Sequence, residues 1–151
     1  MTDDVTALAA RLRILEDERA ILEILHRYGH AMDYGPDREF VSCFTVDGVW
    51  EVRMRLSKAG FTCRGQDEIA ASLAAQMSVR VPALYAKHIV MDPRMILDGD
   101  RASVVSYFLR VEPTNDGPTR IVASGRYLDQ MERADDGCWR FRHRIAEIDD
   151  M

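Results

Sequence analysis

The stretch "TRIVASGRYLDQMERADDGCWRFRHRIAEID", residues 119–149, decides the fold. Apolar and polar residues alternate on both sides of Asp135-Asp136-Gly137, the pattern of two half-buried strands joined by a turn. In the second run Trp139, Phe141 and His143 fall on one face, and Arg140, Arg142 and Arg144 on the other. A solvated arginine face accounts for Arg140 and Arg142, while one arginine at the closed end of a curved sheet can face inward. Upstream, "RMILDGDRASVVSYFLRVE" (94–112) repeats the design around Asp98-Gly99-Asp100, a hairpin signal. Before it, "ALYAKHIVM" (83–91) reads as a strand closed by Asp92-Pro93, with His88, Val90 and Asp92 on one face.

The first half of the chain has a different period. From Val5 to Met32, Leu8, Leu12, Leu15, Leu22, Leu25 and Tyr28 recur at three- and four-residue steps, which predicts one long helix. Thr2, Asp3 and Asp4 suit its start and its dipole. Gly35-Pro36 breaks it, and a short second helix is expected from Asp37 to Phe44. "TVDGVWEVRMRL" (45–56) then alternates, with Trp50, Val52, Met54 and Leu56 on one side. "KAGFTCRG" (58–65) reads as a loop or ragged strand, and "DEIAASLAAQM" (67–77) as a third helix. Helices first and antiparallel strands last predict an α+β fold: a cone-shaped, curved antiparallel or mixed sheet wrapped around the long N-terminal helix, with two shorter helices. The mouth of such a cone is a natural small-molecule pocket.

The whole chain bounds the function. At 151 residues, without an internal repeat or a Gly/Ser/Pro-rich linker, residues 1–151 are expected to form a single domain. With 25 acidic against 20 basic residues and a net charge of −5, no basic block suggests nucleic acid or an anionic membrane surface as a partner. No apolar run approaches the about 20 residues of a membrane span. The start of the chain has no signal-peptide pattern, and Cys43, Cys63 and Cys138 read as reduced buried thiols, so a cytoplasmic location is expected. A sheet face rich in Val, Ile, Tyr and Phe predicts a homo-oligomer, a dimer or trimer, packed through that face.

Chemistry concentrates in "HRYGHAMDYG" (26–35), at the end of the long helix. Asp33 suits a helix-end carboxylate that hydrogen-bonds the turn at Gly35, or a carboxylate facing a pocket. Tyr28, five residues earlier, points the reading toward a pocket wall, with His26, His30 and Tyr34 at the surface or at an interface. His88 is a lone histidine on an apolar strand, and such residues are more often structural than catalytic. Beside a carboxylate it becomes a general base held in one tautomer. His26 and His30 are four apart but lack a third ligand, so no metal is expected. GxGxxG, P-loop and GxSxG motifs are absent, and no cofactor is expected.

Taken together, "ILEILHRYGHAMDYG", "FVSCFTVDGVWEV", "KHIVMD", "DGDRASVVSYFLRVE" and "SGRYLDQMERADDGCWRFRHR" resemble the nuclear transport factor 2-like, SnoaL-like group of small cone proteins over nearly the whole chain. Within it the pattern is most similar to the dehydratase-like enzymes, namely scytalone dehydratase, bile acid 7α-dehydratase and hexachlorocyclohexane dehydrochlorinase. That resemblance implies a catalytic pair of Asp33 and His88, a pocket tyrosine at Tyr28 and an anion-stabilising arginine at Arg144. It implies a cofactor-independent lyase on a small hydrophobic cyclic substrate, with an isomerase, a polyketide cyclase or a ligand-binding module as alternatives. Phe44, Trp50, Tyr85, Phe108 and Tyr127 are the expected apolar lining. Asp33 and His88 should then lie within hydrogen-bond reach.

Overall fold

The computed structural model describes residues 2–79, 86–114 and 117–149. Helix α1 (Thr2–Asp33) leads, followed by α2 (Asp37–Ser42), β1 (Phe44–Met54), β2 (Gly60–Arg64), α3 (Gly65–Val79), β3 (Lys87–Asp98), β4 (Arg101–Thr114), β5 (Gly117–Arg133) and β6 (Trp139–Asp149). The strands form one sheet in the order β2-β1-β6-β5-β4-β3. Among the described residues only the β1–β6 pairing is parallel, so the sheet is mixed. The architecture is α+β, with helices before and beside a sheet that ends in a long meander. The segment 58–65 resolves into strand β2, and Phe44 opens β1 rather than closing the second helix.

Both turn signals form hairpins. Asp98 faces Arg101 across the β3–β4 turn, and Gly99 between them has φ 59, a conformation that favours glycine. The β5–β6 hairpin turns at residues 134–138, where Cys138 is exposed rather than buried as expected.

Helix α1 carries two apolar faces, not one. Ile21, Ile24, Leu25 and Tyr28 are buried against the sheet, whereas Val5, Leu8, Leu12 and Leu15 are each more than half exposed. At about 100° per residue these sets lie on opposite sides of the helix. A three- and four-residue step count cannot separate them, because both stripes obey it. Asp17 begins the buried line: it is buried and accepts hydrogen bonds from Arg133 (2.5 Å) and Trp139 Nε1 (3.2 Å).

Two bulges override simple alternation. On β6, Phe141 faces Met131 while His143 faces Gln130, so Arg142 is an extra residue. Beyond it the faces exchange, and Arg144 and Ala146 are buried on the same side as Trp139 and Phe141. The sequence expectation that Arg144 shares the face of Arg140 and Arg142 is therefore corrected. On β3, Met91 faces Tyr107 and Arg94 faces Val105, which leaves Asp92 and Pro93 opposite Ser106. Asp92 adopts φ 47 and is exposed, so it leaves the face shared by His88 and Val90. Proline suits that place because a bulge needs no ladder N–H.

Candidate active site

Asp33 is the last residue of α1, which ends with Tyr34 and Gly35 bonding back to the carbonyls of His30 and Ala31. His88 is the second residue of β3, an edge strand whose outward N–H groups have no neighbouring strand. Asp33 serves both needs of His88. Its Oδ2 accepts the His88 backbone N–H at 2.7 Å, and its Oδ1 lies 2.5 Å from His88 Nδ1. Both side chains are largely shielded, 5% exposed for Asp33 and 12% for His88. A carboxylate at Nδ1 takes the proton there as an accepted hydrogen bond, which leaves Nε2 as the basic nitrogen.

The approach of helix to strand depends on Gly29, one turn before Asp33. A Cβ placed at Gly29 would stand 3.1 Å from the His88 carbonyl oxygen. Gly29 thus lets the His88 backbone approach the same helix face from which Asp33 holds it. Sequence reading missed Gly29, although the signal was there: a glycine inside a helix costs about 1 kcal/mol relative to alanine, so it calls for a packing reason.

Tyr28 and Asp33 leave the helix about 140° of arc apart, and Tyr28 reaches into the interior of the cone. The Tyr28 ring is buried among Phe40, Phe44, Tyr127 and Phe141, with centroids 4.8–6.2 Å away. Burial pushes its hydroxyl up to about 12, against the pull of the Arg144 charge. It therefore stays protonated and is able to donate a hydrogen bond.

Arg144 faces inward with no exposed side-chain surface, and its partner is Asp129, a residue the sequence reading did not single out. Nε and one terminal nitrogen donate to the two Asp129 oxygens at 2.9 and 3.0 Å. The guanidinium also stacks 3.9–4.1 Å from the centroids of Tyr28, Tyr127 and Phe141. Burial pushes the Asp129 carboxyl above its ordinary value while the Arg144 charge works against it. Register explains the pair: Asp129 stands directly opposite Arg144 on β5, with Trp50 on the other side on β1. Arg144 Nη1 and Trp50 Nε1 are both buried without a hydrogen-bond partner among the described residues.

The expected lining residues Phe44, Trp50, Phe108 and Tyr127 are all buried inside the cone, where Phe108 stacks on Tyr127 at 4.6 Å. Tyr85 lies outside the described residues. His26, His30 and Tyr34 are exposed. A second histidine–carboxylate pair, His143 Nε2 with Glu51 at 3.0 Å, sits on the outer face, where Glu51 also bonds Arg53. It borders an open groove of about 1020 Å³ lined by Glu51, Arg53, Arg126 and Glu147 among others. That groove is charged and lies on the opposite side of the sheet from Asp33 and His88. The outer face is accordingly less uniformly apolar than expected: exposed Val105, Tyr107 and Ile121 adjoin the ion pairs Arg126–Glu147 and Arg55–Asp149. No cluster of three or more potential metal ligands occurs among the described residues, and no described helix is long and apolar enough to cross a membrane.

A sheet wrapped on one long N-terminal helix, with two short helices beside it, defines a nuclear transport factor 2-like protein. The model of the SnoaL-like domain matches residues 13–145, and the chain belongs to that family. No curated protein matches the chain. Among solved structures it is similar to an NTF2-like protein with a cystatin-like fold from Novosphingobium aromaticivorans (25% identity, TM-score 0.79, covering 99% of this chain and 91% of that one). It is also similar to ActVI-ORFA from Streptomyces coelicolor (20%, 0.69, 85% and 93%). A third structure, from Catenulispora acidiphila in complex with S-DNPA, gives 18% identity and a TM-score of 0.73 over 89% and 93% of the two chains.

Proposed function

We propose that the protein is a cofactor-independent lyase that removes a proton and a leaving group from a small hydrophobic cyclic substrate. The observation that carries this reading is the double engagement of His88 by Asp33, at the ring Nδ1 and at the backbone N–H. A binding module has no need of an oriented base. In the proposed step His88 Nε2 takes a proton from a carbon next to an electron-withdrawing group. The C–H electron pair becomes the new double bond, and the leaving oxygen departs with its own bonding pair. That oxygen then takes the proton from Nε2 and leaves as water. Asp33 stabilises the imidazolium formed in between. The Tyr28 hydroxyl donates a hydrogen bond to the developing negative charge, and Arg144 holds the Tyr28 ring and adds positive potential. The buried rings of Phe44, Trp50, Phe108 and Tyr127 exclude water, which strengthens each of these interactions. The neighbour that binds S-DNPA supports small-molecule binding on this scaffold.

Asp33 also has a structural duty, since it satisfies an N–H on the sheet edge. The test must separate the two. Asp33→Asn keeps an acceptor for the backbone N–H but removes the charge at Nδ1. The protein, Asp33→Asn and His88→Ala are incubated with a panel of cyclic β-hydroxy ketones in D2O, and deuterium uptake and water loss are followed by mass spectrometry. Wild type is expected to exchange and dehydrate at least one compound, and both variants to lose this by orders of magnitude with unchanged circular dichroism. Exchange without loss of water would move the reading to an isomerase, with the same base and a different fate for the carbanion. Neither reaction with any compound, or full activity in both variants, would sink it.

A further inference from the structure

The exposed apolar stripe of α1 has no role in the cone. Val5, Leu8, Leu12 and Leu15 are 65, 65, 54 and 61% exposed. They fall within about 80° of arc, centred about 180° from the buried line of Asp17, Ile21, Ile24 and Tyr28. The stripe continues through Arg19 to the half-buried Leu22 and spans about 25 Å at 1.5 Å per residue. Its spacing is a heptad: Val5, Leu12 and Arg19 occupy one seam position, and Leu8, Leu15 and Leu22 the other. An apolar line of this length pointing away from its own core is the signature of an interface.

The flanking charges name the occupant. Beside the seam stand Arg11 and Glu18 on one edge, and Ala9, Glu16 and Glu23 on the other. A second copy lying parallel would set Arg19 against itself and Glu18 against the partner's Glu23. A second copy lying antiparallel avoids both clashes. It sets Leu12 against the partner's Leu15, Val5 against the partner's Leu22 and Leu8 against the stem of the partner's Arg19. It also brings Arg11 beside the partner's Glu18, twice by symmetry. The seam is thus complementary to itself under a two-fold axis, as an isologous interface requires. We infer that the back of α1 is a dimerisation surface at which two copies pair as antiparallel helices through the Val5–Leu22 seam. The bodies of the two domains then lie on the outer flanks, leaving both Asp33–His88 sites unobstructed.

The experiment is light scattering and sedimentation velocity on the full chain at micromolar concentration. Wild type is expected at twice the mass of one chain, and Leu8→Glu with Leu15→Glu at the mass of one chain, with unchanged circular dichroism because neither residue touches the core. Arg11→Glu should weaken the dimer at least tenfold, Glu18→Arg likewise, and the two together should restore it. In a Cys138→Ser background, oxidised Val5→Cys chains should cross-link only when mixed with Leu22→Cys chains. A monomeric wild type, an undiminished mass in the double glutamate variant, or cross-linking of Val5→Cys chains to one another would overturn the proposal.

Discussion

Breaking the Asp129–Arg144 pair should cost far more than removing it. Asp129→Leu places methyl groups where the two oxygens stand and leaves the Arg144 charge buried with only the faces of three rings for company. An arginine cannot shed its proton, so the loss should reach the roughly 3–5 kcal/mol of a broken buried pair. In a chain of this size that is a fall in Tm of about 6–20 °C. Arg144→Met keeps the unbranched stem and leaves Asp129 alone. That residue has an escape, because burial already pushes its carboxyl upward and it can take a proton. Arg144→Met should therefore cost less than Asp129→Leu at mildly acidic pH and lose further stability as the pH rises through the folded-state pKa. The sign follows from the raised pKa: protonated Asp129 is favoured in the fold, and that contribution disappears once the carboxyl ionises. The double variant replaces the pair by apolar groups and should return to within about 1–2 kcal/mol of wild type. Guanidinium chloride unfolding followed by tryptophan fluorescence suits the measurement, since Trp50 and Trp139 are both buried. If the double variant loses the sum of the two single losses, the pair is not coupled and the reasoning fails.

Gly29→Ala should gain helix propensity of about 1 kcal/mol yet push the His88 carbonyl by a few tenths of an ångström. The expected outcome is near-neutral thermal stability with a clear change in the His88 ring resonances by NMR, and an unshifted spectrum would count against the positioning role. Asp17 is raised by burial, but the hydrogen bonds from Arg133 and Trp139 outweigh this and hold its carboxyl below the ordinary value. Its contribution is present above the usual carboxylate range and is lost as the pH falls through the lowered pKa, so Asp17→Asn should flatten the acid limb of a stability–pH curve. Once a substrate is known, Asp33→Asn and His88→Ala should fail to add in the double variant, while Tyr28→Phe should cost on the order of 10²–10⁴-fold; multiplying losses for the first two would show that they act separately.

The fold was legible because its signals are local. A period of three to four, a period of two, Asp98-Gly99-Asp100 and Asp135-Asp136-Gly137 each report on a few neighbouring residues. What escaped the sequence is what depends on register. The extra residue at Arg142 moves Arg144 to the inner face, and nothing around Arg142 marks it as a bulge. Asp129 acquires its meaning only from standing opposite Arg144 on the next strand. The two faces of α1 were merged because each satisfies the same spacing, and only the position of Asp17 against Arg133 and Trp139 tells them apart. Asp33 and His88 are 55 positions apart, so the residues alone offered a candidate base and a candidate carboxylate, and family resemblance supplied the pairing.

The order β2-β1-β6-β5-β4-β3 sets a schedule for synthesis. Among the described residues β6 is the last of six strands, yet it lies between β1 and β5 and joins the two halves of the sheet. Until Trp139–Asp149 leaves the ribosome, β1 with β2 forms one fragment and the β3–β5 meander another. Each then shows an open strand edge. At about 5–20 residues per second the wait between β1 and β6 lasts several seconds. During it Phe44 and Trp50 lack the strand that will cover them, and Asp129 is an ion without its counter-charge. The nascent chain is thus most exposed to mispairing just before β6 emerges, and a stop codon a few residues into β6 would leave two half-sheets rather than a shortened domain.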